Sequence, residues 1–149
     1  MKIFFYLRRL SKLPVLGAAF SFIYRLYNIA YGASIPLCVD IDESTIFPHG
    51  IHGIHGIFIS KNATLGKGIT IFHQVTIGSN QIPSHSLFGA PTIGNNCFIS
   101  VGAKIIGNVE LGSNVTVGPN VSIAKNIDND VTVVTGSYRL FKSNGKILS

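Results

Sequence analysis

The sequence has few charges, few cysteines and no tryptophan. Only 12% of its 149 residues are charged, whereas 46% are hydrophobic. A chain of this composition leaves much of its surface apolar or glycine-rich unless another subunit or lipid covers it. The composition therefore indicates an oligomer, a protein that contacts a membrane, or both.

The two cysteines, Cys38 and Cys97, lack the short spacing of a metal-binding pair such as Cys-x-x-Cys. Such sparse cysteine usage favours a reduced, cytoplasmic protein over a disulfide-stapled secreted one. A chain of 149 residues is also long enough to bury an ordinary hydrophobic core without cross-links.

Acidic residues are absent before Asp40, so the first part of the chain is purely basic. A basic, aromatic segment of this kind is typical of helices that lie on an anionic membrane face. Nucleic acid is the rival partner, but no nucleic-acid-binding motif accompanies the charge, so none is predicted. The basic residues in this segment are Lys2, Arg8, Arg9, Lys12 and Arg25.

A long hydrophobic run is also missing. Residues 13–24 form an apolar stretch, but it contains Pro14 and falls short of the about 20 apolar residues that a spanning helix needs. It lacks the cleavage site of a signal peptide as well. We expect residues 1–33 to be partly helical, and two roles stay open: covering the first turn of the following domain, or contacting a membrane.

What the chain does have is a repeat of six residues. Mostly apolar residues recur at this spacing from Ile35 to Ile77 and again from Ile93 to Ile123, and nearly all are followed four places later by a small or apolar residue. Six is not a helical period, and the glycine, asparagine and β-branched residues suit short strands and tight turns. Three hexapeptides form one triangular turn of a parallel β-helix.

This period predicts an all-β fold of about five coils. They are residues 35–52, 53–70, 71–92, 93–110 and 111–128, within a β-helical domain of residues 34–149 that follows the helical segment 1–33. The loop Ser79–Pro91 interrupts the third coil and carries about four more residues than the period requires. Loops held by a rigid scaffold often carry function.

Two stretches on either side of this loop, "IFHQVTIGSN" and "PTIGNNCFISVGAKIIGNVELGSNVTVGPNVSIAKNI", resemble the hexapeptide-repeat acyltransferases. Within that family, the resemblance is to the branch of the serine acetyltransferases and the O-acetyltransferases of bacterial polysaccharides. It implies a left-handed β-helix, a homotrimer, acetyl-CoA as the acetyl donor and no metal. It also implies a histidine general base between subunits, which takes the proton of the acceptor hydroxyl as that hydroxyl attacks the thioester.

Three histidines in "FPHGIHGIHGIFIS", Phe47 to Ser60, compete for the role of base. Counting forward from Ile35-Pro36 by the family pattern identifies His49, in a Pro-His-Gly context. Counting back one coil from Ile71 reaches Gly53, whose flanking candidates are His52 and His55. The resemblance therefore leaves three alternatives for the catalytic residue: His49, His55 and His52.

The spacing of His55 and His73 adds an argument from geometry. They are 18 residues apart, so an unbroken β-helix would place them at the same corner of adjacent coils, about 4.8 Å apart. Two imidazoles so close disfavour double protonation, which keeps one neutral as a general base requires. Zinc is a rival interpretation of the pair, but without a clear third ligand no metal site is predicted.

The remaining candidates bind the two substrates. For the acceptor, they are His73, Gln74, Asn80 and His85. For acetyl-CoA, the resemblance implies small residues of the later coils and lysines near the phosphates: Ser100, Val101, Gly102, Lys104, Pro119, Lys125 and Lys142.

Two positions depart from the serine acetyltransferase pattern. Ser34 stands where that pattern has an acidic residue that orients the histidine, so the carboxylate is either absent or supplied by Asp40 or Asp42. Ala90 stands where a loop histidine contacts serine. The prediction is therefore an acetyl-CoA-dependent O-acetyltransferase acting on a hydroxyl of a bacterial surface glycan or its precursor, at the inner face of the cytoplasmic membrane. Serine O-acetylation and a catalytically inactive structural β-helix remain alternatives.

Overall fold

The computed structural model describes residues 2–48, 53–136, 140–141 and 147–148. In this part of the chain two helices precede a series of short strands. The helices are α1 (Lys2–Leu10) and α2 (Gly17–Ala30). The strands are β1 (Phe58–Ile59), β2 (Thr64–Leu65), β3 (Thr70–Ile71), β4 (Thr76–Gly78), β5 (Thr92–Ile93), β6 (Phe98–Ile99), β7 (Lys104–Ile106), β8 (Glu110–Leu111), β9 (Thr116–Val117), β10 (Ser122–Ile123), β11 (Thr132–Val133), β12 (Leu140–Phe141) and β13 (Ile147–Leu148).

The strands from β1 to β11 form three parallel sheets. Their orders are β1-β4-β7-β10, β3-β6-β9-β11 and β2-β5-β8, so strands β1 to β10 go to the three sheets in turn. β12 and β13 form a separate antiparallel pair. The predicted all-β fold, a left-handed parallel β-helix with an N-terminal helical segment, is confirmed.

The interior of the β-helix is a column of aliphatic side chains. Ile71, Ile77, Ile99 and Ile105 are all fully buried, and each pairs in register with an inward residue of a neighbouring coil. Burying one such side chain stabilises the fold by roughly 1.5–3 kcal/mol. The residues of the six-residue repeat therefore hold the scaffold, and the chemistry must come from the corners and loops.

The first coil is longer than predicted. Ser34 pairs with Phe58, 24 positions later, and Ile46 pairs with Thr70 at the same spacing. The boundaries 35–52 and 53–70 are therefore wrong, and Phe47, not Gly53, lies one coil before Ile71. The first coil thus holds one hexapeptide more than the usual three. A six-residue period cannot reveal it, because adding one whole hexapeptide leaves the period unchanged.

The interrupting loop is also longer than expected. Thr76 pairs with Lys104, 28 positions later, whereas Lys104 pairs with Ser122 after 18. Ten residues are therefore inserted in the third coil rather than about four. The coil boundary between 71–92 and 93–110 shifts accordingly.

The two helices cover the open end of the first coil. The Arg8 guanidinium is buried and donates hydrogen bonds to the backbone oxygens of Pro36 (3.1 Å), Leu37 (3.4 Å) and Val39, and to the Tyr24 hydroxyl (3.1 Å). This cation therefore satisfies carbonyl groups that would otherwise lie unpaired at the end of the fold. Among the described residues, neither helix has the length and apolarity needed to cross a membrane.

Candidate active site

One edge of the β-helix carries both histidines of the predicted stacked pair. The N–H of Gln74 donates to the carbonyl of His55 at 2.8 Å, and the N–H of Gly102 donates to the carbonyl of His73 at 3.2 Å. His55 and His73 therefore stand at the same corner of adjacent coils, as their 18-residue spacing predicts. We name this edge, residues 55–56, 73–74, 101–102 and 119–120, the histidine corner.

The turns at this corner require a left-handed backbone at their second residue. The φ angles there are 65° at Gly56, 60° at Gln74, 68° at Gly102 and 55° at Asn120. Glycine and asparagine adopt this conformation readily, but glutamine does so at a cost of about 1–2 kcal/mol. Strain of this kind in a residue beside a candidate base is a functional indication that the residue types alone do not show.

Most of the predicted substrate-binding residues meet at the histidine corner. Val101 and Pro119 continue the column of His55 and His73, because the N–H of Asn120 donates to the carbonyl of Val101 at 2.9 Å. Ser100 directly precedes the corner. The Lys104 ammonium group reaches back to the Gly102 carbonyl at 3.1 Å. Candidates for the base, the acceptor site and the acetyl-CoA site thus share one edge.

Tyr31 belongs to the same column, although the sequence did not single it out. Its carbonyl accepts a hydrogen bond from the N–H of Gly56 at 2.9 Å, which places it one coil before His55. The separation of 24 residues, instead of 18, hides this relationship from a search for repeats.

Asn80 and His85 lie at a different edge. The loop Ser79–Pro91 projects from it, and two hydrogen bonds between Asn80 and Gly89 (2.8 and 3.0 Å) close the base of the loop. The N–H of Asn108 in the next coil donates a hydrogen bond to the Leu87 carbonyl at 2.9 Å, which ties the loop to that coil. We name this edge, residues 60–61, 79–91, 107–108 and 125, the loop corner.

Inside one chain the two corners are well separated. Gln74 and Ser79 lie at opposite ends of β4, roughly 16 Å apart at the rise of an extended strand. The exposed His85 accepts a hydrogen bond from the N–H of Leu87 on its Nδ1 atom (3.1 Å), so its side chain is held against the loop backbone. Lys125 follows β10 at the loop corner, so within one chain it lies apart from the acetyl-CoA candidates at the histidine corner.

Asp42, one of the two candidates for the carboxylate that orients a histidine, lies away from the histidine corner of its own chain. The side chain of Asp42 accepts hydrogen bonds from the N–H and hydroxyl of Ser44, and these bonds lower its pKa below the ordinary value of 3.8. The Ser44 hydroxyl in turn accepts from the N–H of Gly68 at 2.8 Å. Asp42 therefore lies near the third corner of the triangular coils, which we name the third edge and which contains Ser44 and residues 67–68 and 95–96. Ser34 offers no carboxylate, and its N–H donates to the Ile57 carbonyl at 2.8 Å.

Three predicted residues, His49, His52 and Lys142, lie outside the described residues. Their roles stay predictions. Within the described ranges, no group of three histidine, cysteine, aspartate or glutamate side chains is arranged to hold a metal ion.

The fold and its corners are those of a hexapeptide-repeat β-helix. Residues 90–125 match the family model described as bacterial transferase hexapeptide (six repeats). The resemblance to the hexapeptide-repeat acyltransferases that the sequence predicts is confirmed, and the relatives reported below are serine acetyltransferases.

Two curated relatives illustrate this. The chain is 37% identical over 98 residues to the serine acetyltransferase of Buchnera aphidicola subsp. Acyrthosiphon pisum (strain APS), which covers 64% of this chain and 35% of the relative. It is 29% identical over 124 residues to that of Synechococcus elongatus, which covers 83% of this chain and 47% of the relative. The chain thus spans less than half the length of these relatives.

Solved structures agree on the fold. The serine acetyltransferase isoform 3 of Entamoeba histolytica, in complex with cysteine, superposes with a TM-score of 0.69 at 26% identity, covering 93% of this chain and 49% of that one. The enzyme of Neisseria gonorrhoeae, in complex with serine, gives a TM-score of 0.70 at 21% identity, covering 98% and 55%.

Proposed function

We propose that this chain is an acetyl-CoA-dependent O-acetyltransferase. The observation that carries the proposal is the histidine corner, where His55, His73 and Gln74 lie in register with Val101 and Gly102 of the next coil. The likeness to serine acetyltransferases supplies the reaction class.

The reaction needs only general-base and electrostatic help. A histidine takes the proton of the acceptor hydroxyl while the oxygen attacks the thioester carbonyl, and a backbone N–H stabilises the oxyanion. The new C–O bond then replaces the C–S bond, and CoA leaves as a thiolate that takes up the proton. His55 is the candidate base at the described corner, with His49 and His52 as the alternatives.

Serine is the first candidate acceptor, because the relatives named above are serine acetyltransferases. This reverses the order that the sequence suggested, in which a surface glycan came first. The glycan hydroxyl is retained as the second candidate because Ser34 and Ala90 replace the two residues that the serine pattern requires. A membrane-linked glycan would also place the enzyme at the inner membrane face.

A homotrimer is part of the proposal. His85 and Asn80 stand at the loop corner, about 16 Å along β4 from the histidine corner. They contribute to the same site only if the loop of one subunit faces the histidine corner of its neighbour. The expected assembly is therefore a trimer with three shared sites, which size-exclusion chromatography with light scattering measures.

The test offers the purified full chain acetyl-CoA with L-serine, with free sugars or with membrane-linked glycans, and follows thiol release. We expect turnover with one acceptor class, and a loss of about 100-fold or more in kcat when the base is replaced by asparagine. His49→Asn, His52→Asn, His55→Asn and His73→Asn, assayed separately, identify that base.

A matched control is Lys67→Ala, an exposed change at the third edge that should leave kcat unaltered. If no acceptor gives thiol release above background and acetyl-CoA does not bind, the chain is a structural β-helix and the proposal is wrong. His85→Asn is assayed alongside these variants. If it alone abolishes turnover, the base lies in the loop, and the proposal that the histidine corner supplies it is wrong.

A further inference from the structure

The outer face of α2 is more apolar than a surface helix normally is. Its inward side holds Tyr24 and Asn28, which hydrogen-bond to each other and to the first coil. The opposite side presents Phe22, Leu26 and Ile29, which are 63%, 50% and 64% exposed. An ordinary surface helix places charged and polar residues on the face turned away from the core.

This apolar stripe continues beyond the helix. Phe22, Leu26 and Ile29 follow the i, i+4, i+7 spacing of one helix face. Val15 and Leu16, in the turn that precedes α2, are 87% and 55% exposed. We name these residues the apolar patch: Val15, Leu16, Phe22, Leu26 and Ile29.

The charged side chains of α2 and of the connection that precedes it are basic. Arg25 is exposed within the same face of α2 and Lys12 is exposed in the connection between the helices, whereas Arg9 of α1 shares a surface pocket with Glu43. Residues 1–39 contain no aspartate or glutamate to neutralise them. Arg8, which is buried against backbone carbonyls, takes no part in this surface.

We propose that the apolar patch and its basic rim bind the surface of an anionic lipid bilayer, with α2 lying in the interface plane. Apolar side chains enter the boundary between headgroups and acyl chains, while arginine and lysine meet lipid phosphates. A two-fold contact between identical patches would bring Lys12 and Arg25 of both copies together, whereas the contact between neighbours in a trimer would not. A neighbouring subunit is therefore the rival occupant, which the mass measurement below distinguishes from a bilayer.

The absence of tryptophan makes a direct test available. In the full chain, Phe22→Trp creates a single tryptophan within the patch, and Val134→Trp creates one at an exposed position (69%) outside it. With vesicles of phosphatidylcholine and phosphatidylglycerol, we expect a blue shift for Phe22→Trp and none for Val134→Trp. Vesicles of phosphatidylcholine alone should bind more weakly, and added salt should reverse the binding.

Sedimentation with the same vesicles measures affinity. Arg25→Glu should weaken binding on the order of tenfold, since each basic residue near an anionic surface contributes about fivefold. Ile29→Ser should also weaken it, whereas the control Val134→Ser should not. Equal melting temperatures of these variants would show that the fold is kept.

The proposal is wrong if the wild-type chain does not sediment with anionic vesicles. It is also wrong if Ile29→Ser and Arg25→Glu leave vesicle binding unchanged. A fall in oligomeric mass in Ile29→Ser, without vesicle binding by the wild type, would show that a second copy covers the patch. These outcomes are independent of acetyl transfer, which is assayed without lipid.

Discussion

His73 and Gly102 are 29 residues apart in the sequence, yet the His73 carbonyl accepts a hydrogen bond from the Gly102 N–H at 3.2 Å. This bond joins a candidate acceptor-binding residue to a candidate acetyl-CoA-binding residue across the ten-residue insertion. The insertion therefore projects from another edge without disturbing the histidine corner. A long loop and an ordered site are compatible here because the loop begins and ends at the same corner of one coil, where Asn80 and Gly89 exchange two hydrogen bonds.

The left-handed backbone of Gln74 gives the first prediction. Gln74→Gly should raise the free energy of unfolding by about 0.5–1 kcal/mol, because glycine adopts a φ near 60° without strain. The same change should lower acetyl transfer if the amide binds the acceptor. Asn96→Gln, at a φ of 55° on the third edge, is the matched control and should destabilise the fold by a similar amount. Denaturant melts of both variants measure this, and a less stable Gln74→Gly would show that the site carries no strain.

Arg8 and Arg9 form a natural pair for testing the cap of the first coil. Arg8→Met removes the donor to three backbone carbonyls and should cost about 2–4 kcal/mol of stability. Arg9→Met changes the same residue type at an exposed position and should stay within about 0.5 kcal/mol. Urea unfolding compares them, and equal effects would contradict the capping role of Arg8.

The hydroxyl of Tyr24 should make the free energy of unfolding depend on pH in the alkaline range. Burial raises the pKa of its hydroxyl above the ordinary 10.0, and the neighbouring Arg8 offsets part of this rise. The native state therefore keeps a proton that the unfolded chain loses above pH 10.0, so this contribution is complete below pH 10.0 and disappears as pH rises through the native pKa.

Above pH 10.0, the free energy of unfolding of Tyr24→Phe should fall less steeply with pH than that of the wild type. The two slopes should differ by up to about 1.4 kcal/mol per pH unit. The absolute stability of the variant at neutral pH should be lower, since Phe cannot donate to the Ile35 carbonyl. Identical slopes for wild type and variant in urea melts would mean that Tyr24 does not titrate differently in the two states.

Gly94 tests how closely adjacent coils stack. A Cβ at this position would lie 2.6 Å from the backbone C and O of Gly112 and 2.7 Å from the N of Ser113. Since backbone atoms cannot move aside cheaply, Gly94→Ala should destabilise by about 1–3 kcal/mol. Gly136→Ala meets nothing within 4 Å and serves as the control. Similar melting temperatures for both variants would contradict the coil spacing.

The repeat made the fold predictable because its signal is local. Every sixth residue must be apolar to fill a triangular interior, so the six-residue spacing is enough to assign Ile71, Ile99 and Val117 to the core. The stacked pair of His55 and His73 followed from the same arithmetic, since no insertion separates them. Both predictions depend on distances of a single turn.

Predictions that counted residues across an insertion did not give the register of the coils. The count back from Ile71 to Gly53 was wrong because a whole hexapeptide lies between coils without changing the period. The sheet register places Lys125 and Asn80 at the loop corner, so their predicted roles depend on how neighbouring subunits meet. The charge pattern also placed Arg8 among the surface residues of the basic segment. In the structure its guanidinium is buried and donates hydrogen bonds to carbonyl groups of the first coil.

The sequence alone thus determined the repeat, the inward residues and the parallel β-helix, because period and hydrophobicity are properties of neighbouring residues. Only the tertiary structure decided which residues share a corner, where the inserted residues leave the scaffold, and which arginine is buried. Those features depend on hydrogen bonds between coils 18, 24 or 28 residues apart. Backbone pairing sets that register, and the side-chain pattern by itself does not encode how many residues lie between one turn and the next.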